Sequence, residues 1–180
     1  MIYVFGDSFS AWSSGWPNLI GAQTHGYRGS SEYRILKTYK QHFKTISSDD
    51  TVIFCHTHPS RVYLKDNNKE LSSRLLRTHV FCDILFKDIY HKKEQKFIDT
   101  LETIWDDEYF RYMYDKIVQD CLRVNNSIHI TFFNTIADKY PEMIDLSHIY
   151  CKHAGNRHHN HLTKLGNELV AQRINELLER

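Results

Sequence analysis

The stretch Ile2-Tyr3-Val4-Phe5-Gly6-Asp7-Ser8 stands near the start of the chain and decides the fold. Its first four residues are a continuous apolar run, which is typical of a strand buried on both faces of a sheet. Gly6 and Asp7 end the run with a tight turn, because glycine adopts backbone conformations that other residues avoid. The sequence therefore predicts a buried first strand, with Ser8 directly beyond its carboxyl end.

Strands and helices alternate along the rest of the chain. Apolar runs at 51–55 and 127–133 predict two more buried strands. Helical spacing of apolar residues predicts helices from about 32 to 43 and from about 163 to 178, and a helical pattern covers about 72 to 124. This alternation indicates a three-layer, flavodoxin-like α/β domain with a mostly parallel sheet and helices on both faces. In such sheets, ligands bind beyond the carboxyl ends of the strands.

Length and charge set further bounds. The 180 residues predict one domain spanning 1–180, in which about 67–124 forms a helical insertion that places Ile84 and Leu85 on a helix face. Lys and Arg number 23 against 22 Asp and Glu, so no basic face for nucleic acid is expected. No apolar stretch approaches the ~18 residues of a membrane span, and the first residues lack the pattern of a secretory signal. We therefore expect a cytoplasmic protein without nucleic-acid or membrane partners.

Two polar residues at opposite ends of the chain are candidates for chemistry. Ser8 follows the first strand, where a backbone N–H at the start of a helix can stabilise a developing oxyanion. His161 lies in a polar loop just before the last helix, and an unperturbed histidine pKa of ~6.5 suits a general base. The plainer alternatives are that Ser8 only caps a helix and that His161 is a solvent-exposed loop residue.

Taken together, these segments resemble the SGNH (GDSL-like) hydrolase family. Its first block is matched by Gly6-Asp7-Ser8-Phe9, and its histidine block by His161-Leu162-Thr163-Lys164-Leu165-Gly166. The segment that often follows the first block is similar to Trp16-Pro17-Asn18-Leu19-Ile20, and the second block is similar to Gly26-Tyr27-Arg28-Gly29-Ser30-Ser31. The resemblance implies a serine hydrolase that works without a cofactor or a metal.

The resemblance also implies a role for each matching residue. Ser8 is the nucleophile and His161 the general base of a mechanism that passes through an acyl-enzyme. The amides of Ser8 and Gly29 belong to the oxyanion hole. The implied substrate is an ester of an acetylated carbohydrate, of a lipid or of a small acyl group. Asp7 and Arg61 are the candidate substrate-binding residues.

The chain departs from the family pattern at two positions. The third family block is Gly-x-Asn-Asp, but the corresponding strand end here reads His56-Thr57-His58-Pro59, so Thr57 or His58 is the candidate third oxyanion donor. The family keeps an aspartate three positions before its histidine, and His158 occupies that position here. Losing the orienting aspartate costs about 10⁴ in turnover in serine hydrolases. The alternatives are a Ser–His dyad supported by His158 or by a backbone carbonyl, and a site in which Asp145 replaces the missing carboxylate.

Two rival functions use the same residues differently. His56 and His58 form an H-x-H pattern after a strand. A later loop holds further side chains that bind metals: Cys151, His153, His158, His159 and His161. Imidazoles and thiolates are good zinc ligands, although this spacing fits no closed structural zinc pattern. A metal-dependent hydrolase is the first alternative, and a catalytically inactive binding module of the same fold is the second.

Overall fold

The structure of the protein, a computed structural model, describes residues 1–11, 14–59, 61–62, 84–85, 106–155 and 161–179. In these ranges the strands are β1 (Ile2–Gly6), β2 (Gln23–Thr24), β3 (Thr51–His56), β4 (Arg61–Val62), β5 (Ile84–Leu85), β6 (Ser127–Thr131) and β7 (Ile144–Asp145). The helices are α1 (Trp16–Leu19), α2 (Glu32–His42), α3 (Asp107–Leu122), α4 (Asn134–Ala137), α5 (Ser147–His153) and α6 (Lys164–Leu178). A 3₁₀ turn, Phe43–Thr45, follows α2.

Five of these strands form one all-parallel sheet in the order β2-β1-β3-β6-β7. The three central strands are in register, since Gly6 pairs with Cys55 and His56 pairs with Thr131. Their carboxyl ends therefore meet at one edge of the sheet, where parallel sheets of this kind bind their ligands. The predicted α/β domain with a parallel sheet is confirmed.

Helices cover both faces of the sheet, because successive side chains of a strand point to opposite sides. One core, which includes residues of α1 and α6, contains Val4, Ile53, Ile130, Trp16, Val170 and Ile174. The other, which includes residues of α2 and α3, contains Phe5, Phe54, Ile35, Tyr39 and Cys121. Removing this apolar surface from water is the main favourable contribution to folding. The three predicted layers are confirmed.

The helices predicted from about 32 and about 163 begin at capping side chains. The Ser31 hydroxyl accepts a hydrogen bond from the Arg34 amide at the start of α2. The Thr163 hydroxyl accepts from the Gly166 amide at the start of α6. Such caps satisfy N–H groups that have no partner within the helix. They fix the first turns of the two helices, which adjoin the candidate site.

The predicted helical insertion at about 67–124 is described only in part. Ile84 and Leu85, predicted on a helix face, instead form β5, which pairs antiparallel with β4. Two adjacent apolar residues fit a helical stripe and a strand equally well, so the partner strand decides between them. The last part of the pattern forms α3, whereas 63–83 and 86–105 lie outside the described residues. No helix in the described ranges is long and apolar enough to cross a membrane.

Candidate active site

Ser8, which is 6% exposed, lies in a tight turn immediately after β1. The carbonyl oxygen of Asp7 accepts hydrogen bonds from the Ser10 amide at 3.1 Å and from the Ser10 hydroxyl at 3.0 Å. The Asp7 carboxylate accepts from the Phe9 amide at 3.0 Å. Gly6 is required beneath the turn, because a Cβ at this position would stand 2.6 Å from a side chain of β3. The sequence Gly-Asp-Ser thus folds into a turn held by its own polar groups.

The structure brings His161 to this turn. Its Nε2 lies 2.9 Å from the Ser8 hydroxyl oxygen, although 153 positions separate the two residues. The backbone of His161 is left-handed, with φ +65°, a conformation that costs roughly 1–3 kcal/mol outside glycine and clusters at functional sites. Two backbone hydrogen bonds hold the loop: the Gly155 amide donates to the His161 carbonyl at 2.7 Å, and the Thr163 amide donates to the His153 carbonyl at 2.9 Å. The geometry of a nucleophile and its base is present, and the two catalytic roles stay predictions.

The loop between β2 and α2 runs beside the Ser8 turn. The Tyr27 amide of this loop donates a hydrogen bond to the carbonyl of Gly6, the last residue of β1, at 3.1 Å. Gly29 follows in this loop, buried and with φ +68°, a backbone conformation that favours glycine. Within the described ranges, neither the Gly29 amide nor the Ser8 amide donates to a protein acceptor. Both amides are therefore available to an oxyanion, the role predicted for them.

The two candidates for a third oxyanion donor differ in their surroundings. The Thr57 hydroxyl donates to Asp7 Oδ2 at 2.9 Å, and the Thr57 amide donates to Glu32 Oε2 at 3.1 Å. Both donors are used inside the protein, which argues against Thr57 as an oxyanion donor, and its assignment to the oxyanion hole stays a prediction. His58 is partly buried, with its ring edge-on to Phe133 at 5.5 Å between centroids, and it stays the candidate donor.

Asp7 is buried inside the protein and does not line a surface that meets substrate. It is 0% exposed, and its carboxylate accepts from the Phe9 amide and the Thr57 hydroxyl. Burial raises the pKa of Asp7, while the charges of Arg61 and His161 and the two hydrogen bonds act in the opposite direction. The carboxylate of Asp7 thus faces protein groups, and the substrate-binding role predicted for it stays a prediction.

Arg61, the other predicted substrate-binding residue, lines a cavity of about 220 Å³ beside the start of α2. The wall includes Tyr33, Tyr109 and Met113, which are all exposed to solvent. The buried Nε of Arg61 has no hydrogen-bond partner in the part of the chain that the structure describes. The lining of this cavity includes neither Ser8 nor His161, and the charge of Arg61 lowers the pKa of Asp7.

Of the two residues predicted to support His161, the structure describes only Asp145. His158 lies outside the described residues. Asp145, at the end of β7, is exposed, and its carboxylate accepts a hydrogen bond from the amide of Ser147, the first residue of α5, at 2.7 Å. The charge of His161 lowers the pKa of another carboxyl group, that of Asp7. The charge of Asp7 thus interacts with that of the candidate base, and the role of Asp145 stays a prediction.

A buried chain of polar side chains, which the sequence did not predict, lies beneath the site. Nδ1 of His56 is 2.6 Å from Glu32 Oε1, and Nε2 of His56 is 2.9 Å from Nδ1 of His129. Nε2 of His129 is 2.8 Å from the Ser127 hydroxyl. Burial and the charge of His56 lower the pKa of His129 to about 3. The signal available in the sequence was that His129 lies between two isoleucines of a predicted strand and that His56 directly follows another apolar run.

This chain of hydrogen bonds bears on the metal-binding alternative. Both ring nitrogens of His56 are engaged by Glu32 and His129, so His56 is not arranged as a metal ligand. In the described ranges, no group of three or more His, Cys, Asp or Glu side chains could hold a metal ion. His158 and His159 lie outside those ranges. In the alternative based on the H-x-H pattern, His56 therefore has no ring nitrogen left for a metal.

Comparisons with known proteins give a likeness of structure. No family model matches the chain, and no curated protein matches it in sequence. A solved structure described as a member of the lipolytic protein G-D-S-L family from Veillonella parvula DSM 2008 is similar over 99% of this chain and 98% of that chain. The sequence identity is 12% and the TM-score is 0.47. The chain is thus similar in structure to a G-D-S-L family protein, and its function has to be argued from the geometry of its own site.

Proposed function

We propose that this chain is a serine hydrolase that cleaves an ester through Ser8 and His161. The observation that carries the proposal is the 2.9 Å separation between the Ser8 hydroxyl oxygen and Nε2 of His161. A serine hydroxyl is a weak nucleophile until an adjacent base takes its proton, and an imidazole within hydrogen-bond reach is the usual base. The position of the pair at the carboxyl edge of the parallel sheet, where ligands bind, supports the same conclusion.

The reaction proceeds through an acyl-enzyme. Nε2 of His161 takes the hydroxyl proton as the oxygen of Ser8 attacks the ester carbonyl carbon. The amides of Ser8 and Gly29, with the ring of His58, donate hydrogen bonds to the negative oxygen of the tetrahedral intermediate. The imidazolium then gives its proton to the departing alcohol. Water attacks the acyl group, His161 takes a proton from that water, and the proton returns to the serine oxygen as the acid leaves.

Asp7 supports this mechanism by its charge. The His161 imidazolium forms in each half of the reaction, and a negative charge nearby favours it. The positive charge of His161 lowers the pKa of Asp7, so by the same interaction an ionised Asp7 stabilises the imidazolium. The carboxylate acts without touching substrate, since it is fully buried and bonded to the Phe9 amide and the Thr57 hydroxyl.

The substrate is a small-molecule or carbohydrate ester. A part of it outside the reacting ester group binds in the cavity lined by Arg61. Tyr33 and Tyr109 line this cavity with exposed aromatic rings, against which sugar rings and acyl chains pack well. The guanidinium of Arg61 is always charged and donates hydrogen bonds to carbonyl or anionic groups. Arg61 therefore binds an oxygen of the ester outside its reacting centre.

Labelling with a fluorophosphonate, which reacts with activated serines, tests the proposal. The unaltered protein is expected to be labelled at Ser8, and both Ser8→Ala and His161→Ala are expected to lose the label. Ser14→Ala and His148→Ala alter exposed residues of the same types and serve as controls that keep the label. A folded, unaltered protein that takes no label would favour the inactive binding module. Labelling that survives in Ser8→Ala would assign the nucleophile to another residue.

A further inference from the structure

The hydrogen bonds of the buried chain fix where its protons lie. The Ser127 hydroxyl donates to the Val124 carbonyl at 2.6 Å, and a hydroxyl has a single hydrogen, so Ser127 accepts from Nε2–H of His129. Because burial lowers the pKa of His129, this imidazole is neutral near pH 7. A neutral imidazole has one N–H, which leaves Nδ1 of His129 as an acceptor. Nε2 of His56 is therefore the donor across the 2.9 Å that separate the two rings.

The position of one further proton, which His56 and Glu32 share, then remains to be assigned. Nδ1 and Oε1 are 2.6 Å apart, so the proton belongs either to the nitrogen of an ion pair or to the oxygen of a neutral pair. Glu32 is the first residue of α2, where the helix dipole favours a negative charge. Its second oxygen accepts from the Thr57 amide at 3.1 Å, a bond that favours the carboxylate. A contact this short is also typical of a charge-assisted hydrogen bond. All three features favour an imidazolium and a carboxylate.

Thr57 connects this pair to the turn that carries Ser8. It uses all of its polar groups in buried contacts with two helices, α2 and α3, and with the turn after β1. The amide donates to Glu32, the hydroxyl donates to Asp7, and the carbonyl accepts from the Tyr114 hydroxyl at 2.9 Å. Asp7 holds the Ser8 turn through its own hydrogen bonds. A change in the position of Glu32 is therefore transmitted to Ser8 by a chain of two residues.

We propose that Glu32, held in a buried ion pair with His56, positions Ser8 through its hydrogen bond to Thr57 and through Asp7. The positioning role rests on the proposed function, whereas the ion pair does not. Glu32 is 2% exposed and His56 is 1% exposed, so removing one partner would leave the other charge uncompensated in the protein interior. The pair thus holds the ends of β1 and β3 in a single arrangement, which a nucleophile needs in order to stay aligned with its base.

Nitrogen-15 NMR of the histidine side chains tests the ion pair directly. In the unaltered protein near pH 7, His56 is expected to give the signals of an imidazolium with both nitrogens protonated. His129 is expected to be neutral with its hydrogen on Nε2. In Glu32→Gln, the new amide can still accept from the Thr57 amide while its NH₂ group donates to Nδ1 of His56. That imidazole should then become neutral in an unchanged fold, and a neutral His56 in the unaltered protein would overturn the ion pair.

Comparison of Glu32→Gln with Glu32→Ala tests the positioning role. The Gln variant keeps an acceptor for Thr57 and is expected to react with the fluorophosphonate within about three-fold of the unaltered rate. The Ala variant removes that acceptor, and a fall of at least about ten-fold is expected, with KM for an aryl ester nearly unchanged. Amide hydrogen exchange at Phe9, which reports the Ser8 turn without any activity, should become faster in the Ala variant alone. Equal exchange in the two variants would overturn the positioning role, whereas a lack of labelling in the unaltered protein counts against the proposed function only.

A second pair of variants covers the case in which Glu32→Ala does not fold. Thr57→Ser keeps the hydroxyl that donates to Asp7, and Thr57→Val keeps the shape but removes the donor. The Val variant is expected to show faster exchange at Phe9 and a labelling rate lower by about ten-fold, and the Ser variant is expected to restore both. If the Val and Ser variants match in exchange and in labelling, Thr57 does not transmit the position of Glu32 to the site and the proposal fails.

Discussion

The side-chain oxygen of Asn167 accepts a hydrogen bond from the Trp16 amide at 2.9 Å, across 151 positions of sequence. Asn167 also donates to the Thr163 carbonyl at 3.0 Å, and the Trp16 indole donates to the Phe9 carbonyl at 2.9 Å. Phe9 is the neighbour of Ser8, and Thr163 caps the helix that begins beside the candidate base. This contact therefore fastens the two ends of the chain that carry the candidate site to each other.

Replacing Asn167 with Ala is expected to lower the free energy of unfolding by about 1–3 kcal/mol, because the buried Trp16 amide loses its acceptor. Urea denaturation measures the change. Asn175→Ala, at an exposed position of the same helix, is the control and should stay within about 0.5 kcal/mol of the unaltered protein. The folded Asn167→Ala protein should also react more slowly at Ser8. Equal stability of the two variants would show that the contact contributes nothing measurable.

Gly29 and Gly21 form a matched pair for testing the oxyanion hole. Both have left-handed backbones, with φ +68° and +66°, so alanine is strained by roughly 1–2 kcal/mol at either position. Gly21 is exposed, with no atom within 4 Å of an added Cβ, whereas Gly29 belongs to the loop beside Ser8. Gly29→Ala is expected to lower kcat by at least about ten-fold, since a displaced amide stabilises the oxyanion less well. Gly21→Ala should lower the free energy of unfolding but leave kcat unchanged. If both folded variants have a similar kcat, Gly29 does not belong to the oxyanion hole.

The stability of the protein should depend on pH through Asp7. Burial raises the pKa of this carboxyl group, so the folded state holds the proton more tightly than the unfolded chain does. The stability that the group contributes is full below its usual pKa of about 4 and is lost as the pH rises through the raised value. Asp7→Asn keeps hydrogen-bonding groups toward the Phe9 amide and the Thr57 hydroxyl but has no charge to bury. The variant is expected to melt at a higher temperature than the unaltered protein at pH 7, with the difference vanishing below about pH 4.

The same variant should lose activity while it gains stability. The amide introduced by Asp7→Asn carries no charge to stabilise the His161 imidazolium, so kcat is expected to fall by about ten-fold. Calorimetry across the pH range and an aryl-ester assay give the two quantities on one protein preparation. A variant that is less stable at pH 7 would mean that the hydrogen bonds of the ionised Asp7 outweigh the cost of its burial.

Much of the fold follows from the sequence because β1 and β3 are largely apolar and β6 alternates isoleucine with polar residues before two phenylalanines. β1, β3 and β6 were predicted on that ground, and so were α2 and α6 on their helical spacing. β2 and β7 have two residues each, which is too short for any periodicity, so only pairing with β1 and β6 defines them. β5 was mistaken for a helix face for the same reason. Short elements are set by their partners and leave little trace in the local sequence.

The candidate site was predictable in part because its two main members follow recognisable segments. Ser8 and His161 were expected to meet at one edge of the sheet, and the structure brings them within 2.9 Å of each other. Glu32 gave no such signal, since an acidic residue in the first turn of a helix is ordinarily solvated. It is buried in contact with His56, 24 positions away, and it also accepts a hydrogen bond from the Thr57 amide, a candidate oxyanion donor. Tertiary contacts of this kind are invisible to local patterns.

A strong chelator is expected to leave ester hydrolysis unchanged, because Ser8 and His161 supply the nucleophile and the base while His56 has both ring nitrogens in hydrogen bonds. The test compares turnover of a short-chain aryl ester before and after dialysis against the chelator. His161→Ala gives the inactive reference, and His148→Ala, which alters an exposed histidine, controls for the substitution itself. Activity that the chelator removes and zinc restores would replace the serine mechanism with a metal-dependent one. The same result would assign the histidines of the later loop to metal binding.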